Sequence, residues 1–174
     1  MPVEVKIFVS IIVESSVCPN HYLMVEEKIP DGIRINQPSG YLEIGETPEE
    51  GAIRKCKEIT GLNIKINGFV GCYLVETELN KDSYLTITFH GEATESEENF
   101  LTPRDNVPEI KWIPIKEIKS YNYRSLVVLR SLEDYIAMIH NKEKPECVVG
   151  VTSVFLNKIT IYEAFSSIIP SYRY

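Results

Sequence analysis

The chain has 174 residues, 44% apolar and 25% charged, with a formal net charge of -7. That length suits one folded domain with its own core, and the apolar fraction is that of a soluble protein. The negative balance repels a nucleic-acid polymer, and any phosphate site must be a local arrangement of cations. Cys18, Cys56, Cys72 and Cys147 show no paired spacing, so reduced thiols in a cytoplasmic protein are expected rather than a disulfide framework or a zinc site.

Val3 to Val13 reads as a first strand rich in β-branched residues. Its apolar run, Ile7 to Val13, is too short to span a membrane and lacks a basic leader, so no membrane association is expected. A turn over Ser16 to Asn20 leads to a second strand, His21 to Glu27. Pro30-Asp31-Gly32 is a turn signal, and Ile33 to Gln37 reads as a short strand running into the turn Pro38-Ser39-Gly40. A helix follows. Thr47 can cap it, Pro48 suits its first position, Glu50 can close a capping box, and Gly61 stops it after Thr60. Ala52, Ile53, Cys56 and Ile59 form its apolar stripe. Ile64 to Leu79 and Tyr84 to Ala93 read as long strands joined by a hairpin at Asn80 to Ser83. Thr94 to Pro108 reads as a polar loop, Glu109 to Pro114 as a strand, and Ile115 to Ile118 as a helical turn. Arg124 to His140 has helical apolar spacing in Leu126, Val127, Leu129, Leu132, Ile136 and Ile139. Past Pro145 the pattern weakens. The expected division is a domain over residues 1–150 and an extension over 151–174 with no assigned role. The order of elements predicts an α/β (α+β) fold, a mixed sheet between helices.

The chemistry-bearing segment starts at Gly40. After five intervening residues stands Glu46, and after seven more a helical run carries Arg54, apolar Cys56 and Glu58, followed by Gly61 and Leu62. This spacing resembles the box of the Nudix family. Lys55 and Ile59 stand where the family pattern has its first and last helical glutamates. The words Tyr22-LMVEE, Asn36-QPSGYLE and Tyr123-RSLVV are similar to the bacterial NudJ phosphatase subgroup, in the same order.

The resemblance implies a Nudix fold and hydrolysis of a nucleoside di- or triphosphate or related small-molecule diphosphate, the NudJ likeness adding a pyrimidine of the thiamine pathway. It implies Mg2+ or Mn2+ as cofactor, since divalent cations neutralise phosphate charge and activate water. It further implies the Ser39 carbonyl and Glu58 as metal ligands, and a catalytic set of Glu58, Arg54 and Glu46, with Arg54 orienting the glutamates and Glu46 anchoring the loop. Positions 55, 58 and 59 share a helical face. Lys55 (+1), Glu58 (-1) and Ile59 (0) sum to zero where three glutamates carry -3. Two readings stay open. Either the metal site is dead and Lys55 pairs with Glu58 and serves as a fixed surrogate cation for phosphate, or acids outside the helix, such as Asp105 or Glu109, rebuild a weaker metal site.

Other candidates carry a bland alternative. Tyr41 either contacts substrate or is a loop aromatic. Arg124 and Ser125 either reach a phosphate from the last helix's N-terminus or form its cap and a surface charge. Gln37 lies where the family places its pocket and either reads a base edge or is structural. Tyr73, Tyr84 and Tyr123 either stack on a ring or are core. His21, His90 and His140 share no ligand spacing, and Trp112 and Cys56 read as core. Three functions follow: a hydrolase, a domain that binds or senses a phosphorylated ligand, or an interaction domain using the tail. The expected partner is a small phosphorylated molecule, bound by a monomer or homodimer.

Overall fold

The computed structural model describes residues 4–76, 82–94, 109–140, 151–155 and 158–162. Its strands are β1 (Val5–Val13), β2 (His21–Ile29), β3 (Gly32–Asn36), β4 (Ser39–Tyr41), β5 (Ile64–Glu76), β6 (Ser83–Ala93), β7 (Glu109–Pro114), β8 (Val151–Phe155) and β9 (Lys158–Tyr162). The helices are α1 (Pro48–Thr60), α2 (Ile115–Ile118) and α3 (Leu126–His140). A larger sheet runs β4-β1-β6-β5-β8-β9, with β1 parallel to β6 and β5 parallel to β8; a smaller sheet runs β3-β2-β7.

The run in β1 is apolar without alternation because helices cover both faces of its sheet. Ile11 and Val13 pack with Cys56 of α1, and Val9 with Ala52. Ile12 turns the other way, onto Val128, Leu132 and Tyr135 of α3. Helix α1 forms where its caps predict. Thr47 Oγ1 accepts the Glu50 N–H at 3.2 Å, and a Glu50 carboxylate oxygen accepts the Thr47 N–H at 2.8 Å. Gly61, at φ 80°, ends it with an N–H to the Lys57 carbonyl. That left-handed backbone is costly for any other residue.

Three features depart from expectation. Ser39–Tyr41 is a short edge strand rather than part of a turn, because Phe8, Val9 and Ser10 of β1 pair with it. Helix α3 begins at Leu126 rather than Arg124. The Arg124 N–H is taken by the Ile35 carbonyl, and Ser125 Oγ accepts the Val127 N–H at 3.2 Å. Residues 151–155 and 158–162, which the sequence pattern left unplaced, add β8 beside β5 and β9 beside β8. Residues 95–108 of the expected loop and 77–81 before β6 lie outside the described residues. Among the described residues no helix is long and apolar enough to cross a membrane.

Candidate ligand site

Arg54 is the hub of the segment entering α1. Its Nε donates to Glu46 Oε2 at 2.8 Å, and its terminal nitrogens reach Glu58 Oε1 at 3.2 Å, Glu43 Oε1 at 3.1 Å and the Tyr41 carbonyl at 3.1 Å. Glu46 also accepts the Glu43 N–H at 2.7 Å. The planar guanidinium fork thus ties the loop to the helix. Hydrogen bonding from Arg54 holds the Glu46 carboxyl down at about 2, and the same pairing raises Arg54. Glu46 is therefore an ionised anchor at any ordinary pH.

Lys55 lies next to this hub. Its stem rests on Gly40: a β carbon there would fall 2.5 Å from Lys55 Cδ and 2.6 Å from Cε. Its Nζ donates to Glu58 Oε2 at 2.8 Å. Both oxygens of Glu58 are thus held by cations, and Lys55 first, then Arg54, keeps its carboxyl below the usual range. Ile59, at the third position of this face, contributes no donor.

A divalent cation needs several oxygens converging on one point. The backbone part is in place. The bonds Ile11 N–H to Pro38 carbonyl and Leu42 N–H to Ile7 carbonyl set the β1–β4 register, so the Ser39 carbonyl points away from β1 toward the outer edge of the sheet, which no other strand pairs among the described residues. The carboxylate part is not. Glu58 and Glu46 are engaged by Lys55 and Arg54, and no group of three His, Cys, Asp or Glu side chains suited to a metal occurs among the described residues. Glu109 pairs with Lys111 at 3.3 Å in the smaller sheet, and Asp105 lies outside the described residues. Among the described residues, the side chains in this arrangement do not fit a bound dication.

On the opposite face of β4 a cleft of about 490 Å³ opens between the sheet and the start of α3. One side is aromatic: the Phe8 ring centre is 4.2 Å from that of Tyr41 and 5.6 Å from that of Tyr84, and Tyr41 is half exposed. The other is polar. Asn36 Nδ2 donates to Glu27 at 2.8 Å and to Ser39 Oγ at 3.1 Å, and Arg124 Nε pairs with Glu27 at 3.0 Å.

The NUDIX domain family pattern matches residues 9–131. The chain belongs to the Nudix family. It is 33% identical over 117 residues to proteins named Phosphatase NudJ from Shigella boydii serotype 4 (strain Sb227) and Shigella sonnei (strain Ss046), covering 66% of this chain and 74% of each of those. A solved NUDIX hydrolase from Nitrosomonas europaea superposes with a TM-score of 0.67 at 29% identity, over 78% of this chain and 90% of that one. The mixed sheets and flanking helices are the Nudix fold.

The residues singled out in the sequence divide between two places. Gly40, Glu46, Arg54, Lys55 and Glu58 meet at the loop and α1, whereas Tyr41, Arg124, Ser125 and Gln37 line the cleft, Ser39 standing between. Gln37 is 2% exposed, and its amide donates to Ser131 Oγ at 3.0 Å and the Val128 carbonyl at 3.3 Å. That amide is used to hold α3, which argues against the reading of a base edge. Ser125 spends its hydroxyl as an acceptor within the start of α3. Tyr73 is core, its hydroxyl donating to Asp134 at 2.9 Å; Tyr84 walls the cleft; Tyr123 donates to the Ile118 carbonyl. His90 packs on Tyr135, and burial lowers its pKa. Cys56 is buried, which pushes its thiol up to about 11. Phe8, Glu27 and Asn36 were missed. The available signal was Ser10, a polar residue inside an apolar run, which lies on the cleft-lining face of β1.

Proposed function

We propose that this Nudix domain holds a nucleoside di- or triphosphate, or a related small-molecule diphosphate, with its organic part in the cleft and its phosphates at the free edge of β4. The carrying observation is the state of Glu58: both oxygens are bound by Lys55 and Arg54, which favours retention of the ligand over metal-assisted cleavage. The aromatic side of the cleft supports a ligand with a planar ring, a nucleobase or a phosphorylated pyrimidine of the thiamine pathway. The second reading is a hydrolase using Mg2+ or Mn2+. The names of the relatives favour it, as does the intact Glu46–Arg54 anchor. On either reading the Nudix unit spans residues 1–150, with 151–174 as an extension, in a cytoplasmic monomer or homodimer.

Calorimetry with nucleoside diphosphates, run beside a phosphate-release assay in magnesium, separates the two. Saturable binding with little release is expected. Brisk magnesium-dependent turnover by the unaltered chain overturns retention.

A further inference from the structure

We infer that Lys55 takes the role a divalent cation would have at this site, and that Glu58 is its internal counter-anion, which a ligand phosphate displaces without metal. The inference rests on the proposed ligand reading and specifies how the phosphate is met.

Geometry supplies the first part. Side chains of a strand alternate between faces, so Ser39 and Tyr41 face the cleft while the α-carbon of Gly40 faces α1. The Lys55 stem fills the space a Gly40 side chain would need and carries the ammonium to Glu58. A phosphate chain leaving the cleft past Ser39, around the free edge of β4, meets this ammonium. The stem is largely packed, with the Lys55 side chain 21% exposed, whereas Glu58 is 48% exposed and able to swing away.

Charge supplies the second. Arg54 and Lys55 bring +2 against -3 from Glu43, Glu46 and Glu58, a net of -1. An approaching phosphate is repelled by that sum unless an acid leaves. Glu46 is locked by three hydrogen bonds within the loop and helix start, whereas Glu58, among the described residues, is held by the terminal nitrogens of Lys55 and Arg54 on an exposed helix face. A phosphate of higher charge than a carboxylate, offering more acceptor oxygens, wins the exchange for Lys55. Glu58 thus competes with the ligand, the opposite of the role of a metal ligand.

That difference in sign is testable. ADP and inorganic pyrophosphate are titrated by calorimetry into the full chain in EDTA and in magnesium, and manganese alone is titrated by spin resonance. The expected results are ADP binding in EDTA, no tightening by magnesium, and no saturable manganese binding. Lys55→Met should weaken ADP binding about tenfold and Lys55→Arg should retain it, while Glu58→Gln should tighten it by roughly threefold or more. Thermal melting of each variant checks folding. ADP binding that requires magnesium, manganese binding lost in Glu58→Gln, or weaker ADP binding by folded Glu58→Gln overturns the inference and leaves the ligand reading standing. Absence of binding by either probe, with or without metal, sinks both.

Discussion

Replacing Lys55 and Ile59 together by glutamate should create a divalent-cation site. A dication held by Glu58 in the present protein would stand close to an ammonium that is itself 2.8 Å from Glu58. At about 4 Å, two unit charges repel by about 4 kcal/mol at an effective dielectric near 20, which becomes roughly 8 kcal/mol for a doubly charged ion. Solvent and rotation of the lysine, whose side chain is 21% exposed, relieve much of this. A surviving quarter, about 2 kcal/mol, is still more than tenfold in metal affinity. The double change removes that repulsion and adds two carboxylates beside Glu58 on one helical face. Calorimetry should then show saturable manganese binding that the unaltered chain lacks, with magnesium-dependent phosphate release rising in parallel. Equal manganese affinity in the two proteins, or brisk turnover by the unaltered chain that the double change abolishes, refutes the reasoning.

Three further outcomes follow from the same geometry. The Glu46 carboxyl is held at about 2, below its usual 4.5, by Arg54. A depressed acid stabilises the fold above its unfolded pKa, and that contribution fades as pH falls through the folded one, so the anchor should persist at pH 4.5 and be lost toward pH 2. Carboxyl NMR of Glu46 checks this, and a midpoint near 4.5 contradicts it. Gln37→Leu strands partners of a buried amide on α3 and should cost about 1–3 kcal/mol in urea unfolding; unchanged stability with lost ligand affinity would return Gln37 to recognition. Gly40→Ala should change melting little, because the atoms it meets belong to the flexible Lys55 stem, yet weaken ADP binding by displacing that stem. In a Lys55→Ala background the same change should do nothing more, and an equal loss in both backgrounds shows that the contact is not the cause.

Much of the fold was legible because its signals are local. The capping box at Thr47 and Glu50, Pro48 and the left-handed stop at Gly61 act within a few residues of one another, and α1 has the predicted limits. The start of α3 was misplaced because it is decided by a distant partner, the Ile35 carbonyl that takes the Arg124 N–H. The strand over Ser39–Tyr41 was read as part of a turn because only pairing with Phe8, Val9 and Ser10 extends it. Strands β8 and β9 were not anticipated for the same reason: their order comes from the edge of β5, not from their own pattern.

The spacing from Gly40 to Leu62 determined by itself the family, the helix, and the fact that Lys55 and Ile59 break its acidic face, since residues three and four apart on a helix are neighbours whatever surrounds them. The fate of the side chains was decided only by the tertiary structure. Packing against an edge strand 15 positions earlier laid Lys55 over Gly40, and contact with α3 buried the Gln37 amide. Where a long, flexible side chain rests depends on the surface folded against it, and that surface comes from elsewhere in the chain.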